Sequence, residues 1–204
     1  ILGVKGQTIK FATMVAERNL PSMIVINKMD RERADFSRTL GEIRESLPVK
    51  PVVVQIPIGA EENFRGIVDV LSGKAYLFED GGKGTLKETA VPDDLADDLA
   101  LYRENLMESV AETDDDLIEK FLEEGELSDE EILGGLRAGV AKAMITPVCV
   151  CSALLNKGTA AFLDTINLCL PSPADRPAKI GTVPGGSEEA ERKPSADAPF
   201  SALV

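Results

Sequence analysis

The chain has 204 residues, enough for one or two domains with a sizeable core. It is 44% hydrophobic and 28% charged with a net charge of −13, which fits a soluble globular protein and argues against an electrostatic nucleic-acid binder, whose footprint is basic. Histidine is absent, so His-based triads, zincin sites and imidazole bases are excluded from this stretch.

In chain order, Thr8 caps a predicted helix over 8–19 that closes before Pro21. Met23-Ile24-Val25-Ile26 is a short continuous apolar run, the signature of a strand buried on both faces. Phe36, Leu40, Ile43 and Leu47 recur at helical steps and stop before Pro48. Val52 to Ile58 reads as a further strand. Strand and helix alternate, as in a parallel sheet covered by helices.

The middle of the chain changes character. Residues 61–131 carry a net charge of −17, leaving about +4 on the two flanks together. One reading is a separate unit in different electrostatic surroundings; the other is simply a solvated acidic helical surface. Gly66 to Leu71 and Lys74 to Phe78 read as strands around Ser72-Gly73, followed by a glycine-rich turn at 81–84. Three helices are then predicted. The first carries Leu95, Leu99, Tyr102, Leu106 and Val110, and the second Leu117, Ile118, Phe121 and Leu122. The third opens on Ser128 and Glu131 at capping-box spacing and continues through Ile132, Leu136 and Val140. Strands followed by helices describe a small α+β unit.

The first style then returns. Ile145 to Cys151 is an apolar, β-branched run, and Thr159 to Leu170 is a predicted helix with Phe162, Leu163 and Ile166 facing inward, stopped by Pro171 and Pro173. The following stretch to residue 198 is proline-rich and poor in large apolar side chains, so it reads as an extended connection. Phe200 to Val204 reads as the onset of another strand, which is expected of a piece cut from a longer chain.

The chemistry is predicted at two strand ends. Asn27-Lys28-Met29-Asp30 directly follows the run 23–26 and precedes a helix, and in open α/β sheets ligands bind beyond the carboxyl ends of strands. These residue types suit guanine. The Asp30 carboxylate can accept from both N1–H and the exocyclic amine as a bidentate pair, whereas adenine lacks the N1 proton. Asn27 can donate to N7 and tie neighbouring loops together, and the Lys28 methylenes can lie along the base plane. A polar strand-to-helix turn capped by Asn27 or Asp30 would leave the same tetrapeptide. Ser152-Ala153-Leu154 follows the second buried run; its backbone amides suit the base O6, with Leu154 against the ring. On its own that tripeptide carries little information.

In this order the two segments resemble the fourth and fifth guanine-nucleotide motifs of the GTPase superfamily. The wider sequence resembles bacterial translation elongation factor G: Asn-Lys-Met-Asp-Arg-Glu-Arg-Ala-Asp-Phe at 27–36, Ile-Pro-Ile-Gly-Ala-Glu-Glu-Asn-Phe-Arg-Gly-Ile-Val-Asp at 56–69, Asn-Lys-Gly at 156–158 and Leu-Pro-Ser-Pro at 170–173. Residues 3–8, Gly-Val-Lys-Gly-Gln-Thr, are similar to the segment just after that family's second switch, and Phe200 to Val204 to the first strand of its second, β-barrel domain.

The resemblance implies a partial P-loop GTPase-type α/β sheet, its front strands and P-loop missing, with an inserted acidic α+β subdomain. The implied boundaries are 1–49 for a GTPase part with the guanine-specificity motif, 50–143 for the inserted subdomain, 144–172 for the GTPase end with the second base-binding motif, 173–198 for a linker and 199–204 for the start of the next domain. It further implies binding of GTP or GDP through Asn27, Lys28, Asp30, Ser152, Ala153 and Leu154. The implied role is in a ribosomal translocase whose insertion faces the ribosomal stalk protein. An acidic insertion is repelled by RNA and complements a basic or amphipathic protein surface, and no sequence-specific nucleic-acid contact is expected.

The departures are equally informative. No G-x-x-x-x-G-K-[ST] occurs, and Gly81-Gly82-Lys83-Gly84-Thr85 has the wrong spacing and the position of a hairpin turn. No catalytic residue and no Mg2+ ligand is expected in this stretch; Mg2+ is expected only with the missing N-terminal part, and the segment alone should not hydrolyse GTP. Cys149, Cys151 and Cys169 read as buried structural thiols of a reducing, cytoplasmic protein rather than metal ligands, and Asp114–Asp116 and Asp129–Glu131 as helix-start charges. No apolar run approaches the ~18–20 residues that span a bilayer. A related ribosome-bound GTPase such as a ribosomal protection protein shares these features, and a non-hydrolysing module that binds the stalk without nucleotide is the reading from a different class.

Overall fold

A computed structural model describes residues 3–79, 84–183, 186–198 and 200. The first helix, α1 (Gly6–Glu17), begins two residues before the predicted start because Lys5 is the N-cap; Thr8 lies a turn in and its hydroxyl accepts from the Lys5 N–H at 3.4 Å. β1 (Ile24–Ile26) follows, then α2 (Phe36–Ser46), whose first turn is held by the Asp35 carboxylate accepting from Arg38 N–H at 2.8 Å. Phe36, Leu40, Ile43 and Leu47 are all buried, so the predicted stripe of α2 is its core face.

The predicted single strand over 52–58 is two strands in two sheets. β2 (Pro51–Val53) and β3 (Gln55–Ile58) are separated by Val54, whose N–H donates to Val148 O at 3.1 Å and whose carbonyl accepts from Val70 N–H at 3.0 Å. One residue thus belongs to both hydrogen-bond systems, and a uniformly apolar run cannot reveal such a change of partner. β4 (Gly66–Asp69), β5 (Lys74–Phe78) and β6 (Leu86–Thr89) continue from β3 as an antiparallel meander in the order β3-β4-β5-β6. The Asp69 carboxylate closes the β4–β5 turn by accepting from the Ser72 N–H and hydroxyl, with Gly73 left-handed. Of the glycine-rich segment 81–84, residues 81–83 lie outside the described residues; the strands flanking it pair as a hairpin, Phe78 opposite Leu86.

Three helices follow the meander: α3 (Ala96–Ala111), α4 (Asp115–Glu124) and α5 (Asp129–Ala141); α3 packs on α4, α5 and β2, and α5 on α6. The capping box of α5 is reciprocal, Glu131 N–H donating to the Ser128 hydroxyl while the Glu131 carboxylate accepts from Ser128 N–H at 2.8 Å. Leu106, Val110, Ile132, Leu136 and Val140 are fully buried. Two residues of the α4 stripe are not: Ile118 is exposed and Leu122 is 77% exposed.

β7 (Thr146–Val150) then enters the centre of a parallel three-stranded sheet of order β1-β7-β2, every residue buried. Ile26 lies opposite Val150, and Pro51 opposite Thr146. β1 is an edge of this sheet among the described residues, and only Ile26 of the predicted two-faced run is fully buried. α6 (Thr159–Cys169) follows. Its inward face carries Thr165 and Cys169, not Leu163, which is half exposed. Phe162 does pack against the core, a turn before Thr165, so only Leu163 departs from the predicted face; the buried Thr165 has a polar partner. Gln55 is fully buried, donates its Nε2 to Thr165 Oγ1 at 3.1 Å and accepts from Val150 N–H at 3.3 Å, so a threonine hydroxyl is needed on that face.

The chain divides into two units, Ile1–Leu170 and Pro171–Val204. Within the stretch read as a connection, β8 (Lys179–Thr182) and β9 (Glu189–Arg192) pair as an antiparallel hairpin. The strand onset predicted at 200–204 falls, apart from Phe200, outside the described residues. No helix among the described residues is long and apolar enough to cross a membrane.

Candidate functional site

Parallel pairing of β1 with β7 brings two chain segments out of the sheet at the same end. Cys151 N–H donates to Ile26 O at 3.1 Å, and Met29 N–H donates back to Cys151 O at 3.2 Å, so the loops at 27–30 and 152–157 leave side by side. This is the carboxyl end of the strands, where open α/β sheets place ligands.

Asn27 joins the two loops. Its Oδ1 accepts from its neighbour Lys28 N–H at 2.7 Å and from Ala153 N–H at 3.1 Å, with Cys151 Sγ at 3.5 Å. Both nitrogens are donors, so the carboxamide oxygen is fixed on the protein side and its NH2 is the donating end. The Ala153 amide, one of those expected to read O6, is engaged by Asn27 in this conformation. Lys28 adopts φ +67° and is exposed. Such a conformation in a residue with a Cβ persists only where neighbours impose it.

Asp30 is the most informative residue. Its side chain is only 10% exposed; Oδ2 lies 3.4 Å from Arg31 Nε, while Oδ1 is buried and has no hydrogen-bond partner. A buried carboxylate oxygen left without a donor costs on the order of 1–3 kcal/mol or more. Such an orphan fits a ligand that presents N–H groups.

The second loop is built differently from the first. Ser152 is fully buried and exchanges two backbone hydrogen bonds with Lys157, at 2.9 and 3.0 Å, while its hydroxyl accepts from Leu155 N–H at 3.4 Å. Ser152 therefore shapes the turn. Leu154, 73% exposed, stands at its tip. A cavity of about 450 Å³ is lined by residues of α1, β1 and α2, with Asn27 and Lys28 among them.

Three further residues at this site are given no role by the sequence reading. Glu61, in the turn between β3 and β4, donates its N–H to Met29 O at 2.8 Å and accepts from Arg33 N–H at 2.6 Å. Lys157 Nζ donates to Phe64 O at 2.9 Å. Gln55 ties the end of β7 to α6 through its two hydrogen bonds.

The cysteines are held as thiols. Burial pushes Cys149 well above the ordinary range and Cys169 up to about 11; it also raises Cys151, with the Ala153 amide opposing. Protonated thiols are poor ligands and poor nucleophiles. Among the described residues no three His, Cys, Asp or Glu side chains converge in a way that could hold a metal ion.

A family model described as elongation factor Tu GTP binding domain matches residues 2–172. A solved crystal structure of a protein from Thermus thermophilus matches with a TM-score of 0.75 and 29% sequence identity over 93% of this chain. This chain spans 29% of that protein's length.

Proposed function

The chain belongs to the elongation factor Tu GTP-binding domain family, and from that premise we propose that it is the base-reading part of a longer translational GTPase of the elongation factor G type. The observation that carries the reading is the buried, unpartnered Asp30 Oδ1 beside a second carboxylate oxygen that meets an exposed arginine. Two acceptor oxygens on one carboxylate complement the N1–H and exocyclic amine of guanine, and reject adenine.

In this proposal Asp30 accepts from the base edge, the Asn27 NH2 donates to N7, and the Lys28 stem covers the ring. Ser152 holds the turn that presents Ala153 and Leu154 to the other side of the base. Phosphate binding, Mg2+ coordination and activation of water are assigned to no residue of this chain, which contains no G-x-x-x-x-G-K-[ST]. Bound GTP would supply the phosphoanhydride that is hydrolysed; the residues here bind and orient its base.

Within the same proposal, the part of 50–143 that follows β2 forms an insertion, since β2 itself belongs to the parallel sheet; the insertion meets the ribosomal stalk protein while the full protein drives movement of tRNA and messenger. The acidic character of 61–131 and the exposed Ile118 and Leu122 on α4 support a basic, amphipathic protein partner.

The test is a titration with fluorescent GDP, ADP and XDP, using the protein with its upstream phosphate-binding segment restored, with and without Asp30→Asn. The expected outcome is tight GDP binding, negligible ADP binding, and a switch toward XDP in the variant. The carboxamide offers one donor and one acceptor, which match a carbonyl in place of the exocyclic amine. Equal affinity for GDP and ADP would make 27–30 a structural turn and leave a stalk-binding module without nucleotide as the better reading.

A further inference from the structure

Around the first base loop and the turn that meets it, three residues with side chains adopt left-handed backbone conformations: Lys28 at φ +67°, Arg33 at +64° and Glu61 at +56°; Asn156 does the same in the second loop, at +53°. Each of the first three is fixed by a hydrogen bond. Lys28 N–H goes to its neighbour Asn27, but the other two bonds involve one residue. Glu61 N–H donates to Met29 O, and Glu61 Oε1 accepts from Arg33 N–H at 2.6 Å. The two contacts bracket Asp30, one immediately before it and one three residues after.

Asp30 does little to hold itself. Its outer oxygen meets Arg31 Nε at 3.4 Å, and the oxygen facing inward has no partner. The direction of the carboxylate is therefore set by the backbone of 29–33, which Glu61 grips at both ends. The grip has a firm base. Gly59 is left-handed, and a Cβ there would overlap Asn63 O, so this close approach at the start of the turn 59–64 requires glycine. Phe64 at its far end is fully buried, and its carbonyl accepts from Lys157 Nζ in the second base loop.

We infer that Glu61 is a positioning residue for the Asp30 carboxylate, and that the β3–β4 turn is a shared buttress for both base-reading loops. The inference rests on the guanine reading of Asp30. In this role Glu61 acts through Asp30 and not on the base, by holding residues 29–33 in the conformation that aims the carboxylate. Its consequence is that the antiparallel sheet and the nucleotide site are mechanically joined, so a load on the sheet alters nucleotide release.

The test is a double-mutant cycle on GDP affinity and dissociation rate in the same restored protein, with Glu61→Ala, Asp30→Ala and both together. Glu61→Ala is expected to weaken GDP binding roughly tenfold through faster release, the scale of one hydrogen bond to a charged group. Glu61→Gln keeps an acceptor for Arg33 N–H and is expected to restore affinity to within about threefold. In the Asp30→Ala background, loss of Glu61 should cost less than about twofold, because there is no carboxylate left to aim. Glu61→Ser, too short to reach Arg33, repeats the truncation with a polar residue should the alanine variant fold poorly.

An alanine variant within twofold of wild type overturns the positioning role, as does an equal loss in both backgrounds, and either result leaves the guanine reading standing. If Asp30→Asn does not turn the protein toward XDP, the guanine reading falls and the inference with it.

Discussion

Glu131 accepts from Lys120 Nζ at 2.8 Å and from both the N–H and the hydroxyl of Ser128. The lysine contact first, then those from Ser128, hold its carboxyl at about 2, below the ordinary 4.5. A depressed folded-state value means that the unfolded chain binds the extra proton first as pH falls, so the contribution is present above about 4.5 and lost toward 2. Solvent reaches this half-buried group and screens it, so the effect is a change of slope rather than a large loss. Urea midpoints measured from pH 5 to pH 2 should fall less steeply in Glu131→Gln than in the parent. A parallel pair of curves would remove Glu131 from the acid limb. At this scale the sequence is legible where residue type and position suffice. Asn27 and Asp30 follow an apolar run, which places them beyond a strand end as the structure has them; their base-reading role is our proposal. Glu61 is illegible: the role proposed for it depends on a left-handed backbone and on an amide 28 residues away.

α5 packs on α3 through glycine. A Cβ at Gly135 would overlap Val110 Cγ1 and stand 2.9 Å from Leu117 Cδ1, whereas one at Gly134 would meet nothing within 4 Å. Alanine gains up to about 1 kcal/mol over glycine inside a helix, and overpacking a filled core costs about 1–3 kcal/mol. Gly134→Ala should therefore raise stability by roughly 0.5–1 kcal/mol, while Gly135→Ala should lower it by about 1 kcal/mol or more, measured by urea unfolding. Equal shifts in the two variants would show that α3 and α5 separate freely. Helices are the elements best written in the sequence, because their stripes repeat at a period that strands do not share. The exceptions have local causes: Val54 changes sheets inside one apolar run, and Thr165 takes the inward position on α6 because Gln55 needs a hydroxyl. On α4, Leu122 continues the stripe yet stands in solvent, since a stripe records hydrophobicity and not which neighbour covers it.

For the molecule as a whole, the alternation of strand and helix at both ends of 3–170 is enough to predict the parallel sheet, and the shift to short strands and acidic helices marks the antiparallel part. The hairpin of β8 and β9 is not predictable in the same way, because its strands are exposed and show no alternation. The way β2 and β7 are joined has a consequence in time. Pro51 pairs with Thr146, and every residue of the meander and of three helices lies between them, so this pairing closes a loop of roughly a hundred residues. Neighbouring strands of the meander pair across turns of a few residues and incur far less of that entropy loss. Amides of 66–78 should accordingly become protected early during refolding and those of 146–150 late, in pulse-labelled hydrogen exchange. Because the proposed base-reading loops are extensions of β1 and β7, any ability to recognise a nucleotide there would be acquired at the end of that sequence, and a chain stalled halfway would carry a finished acidic surface without that site.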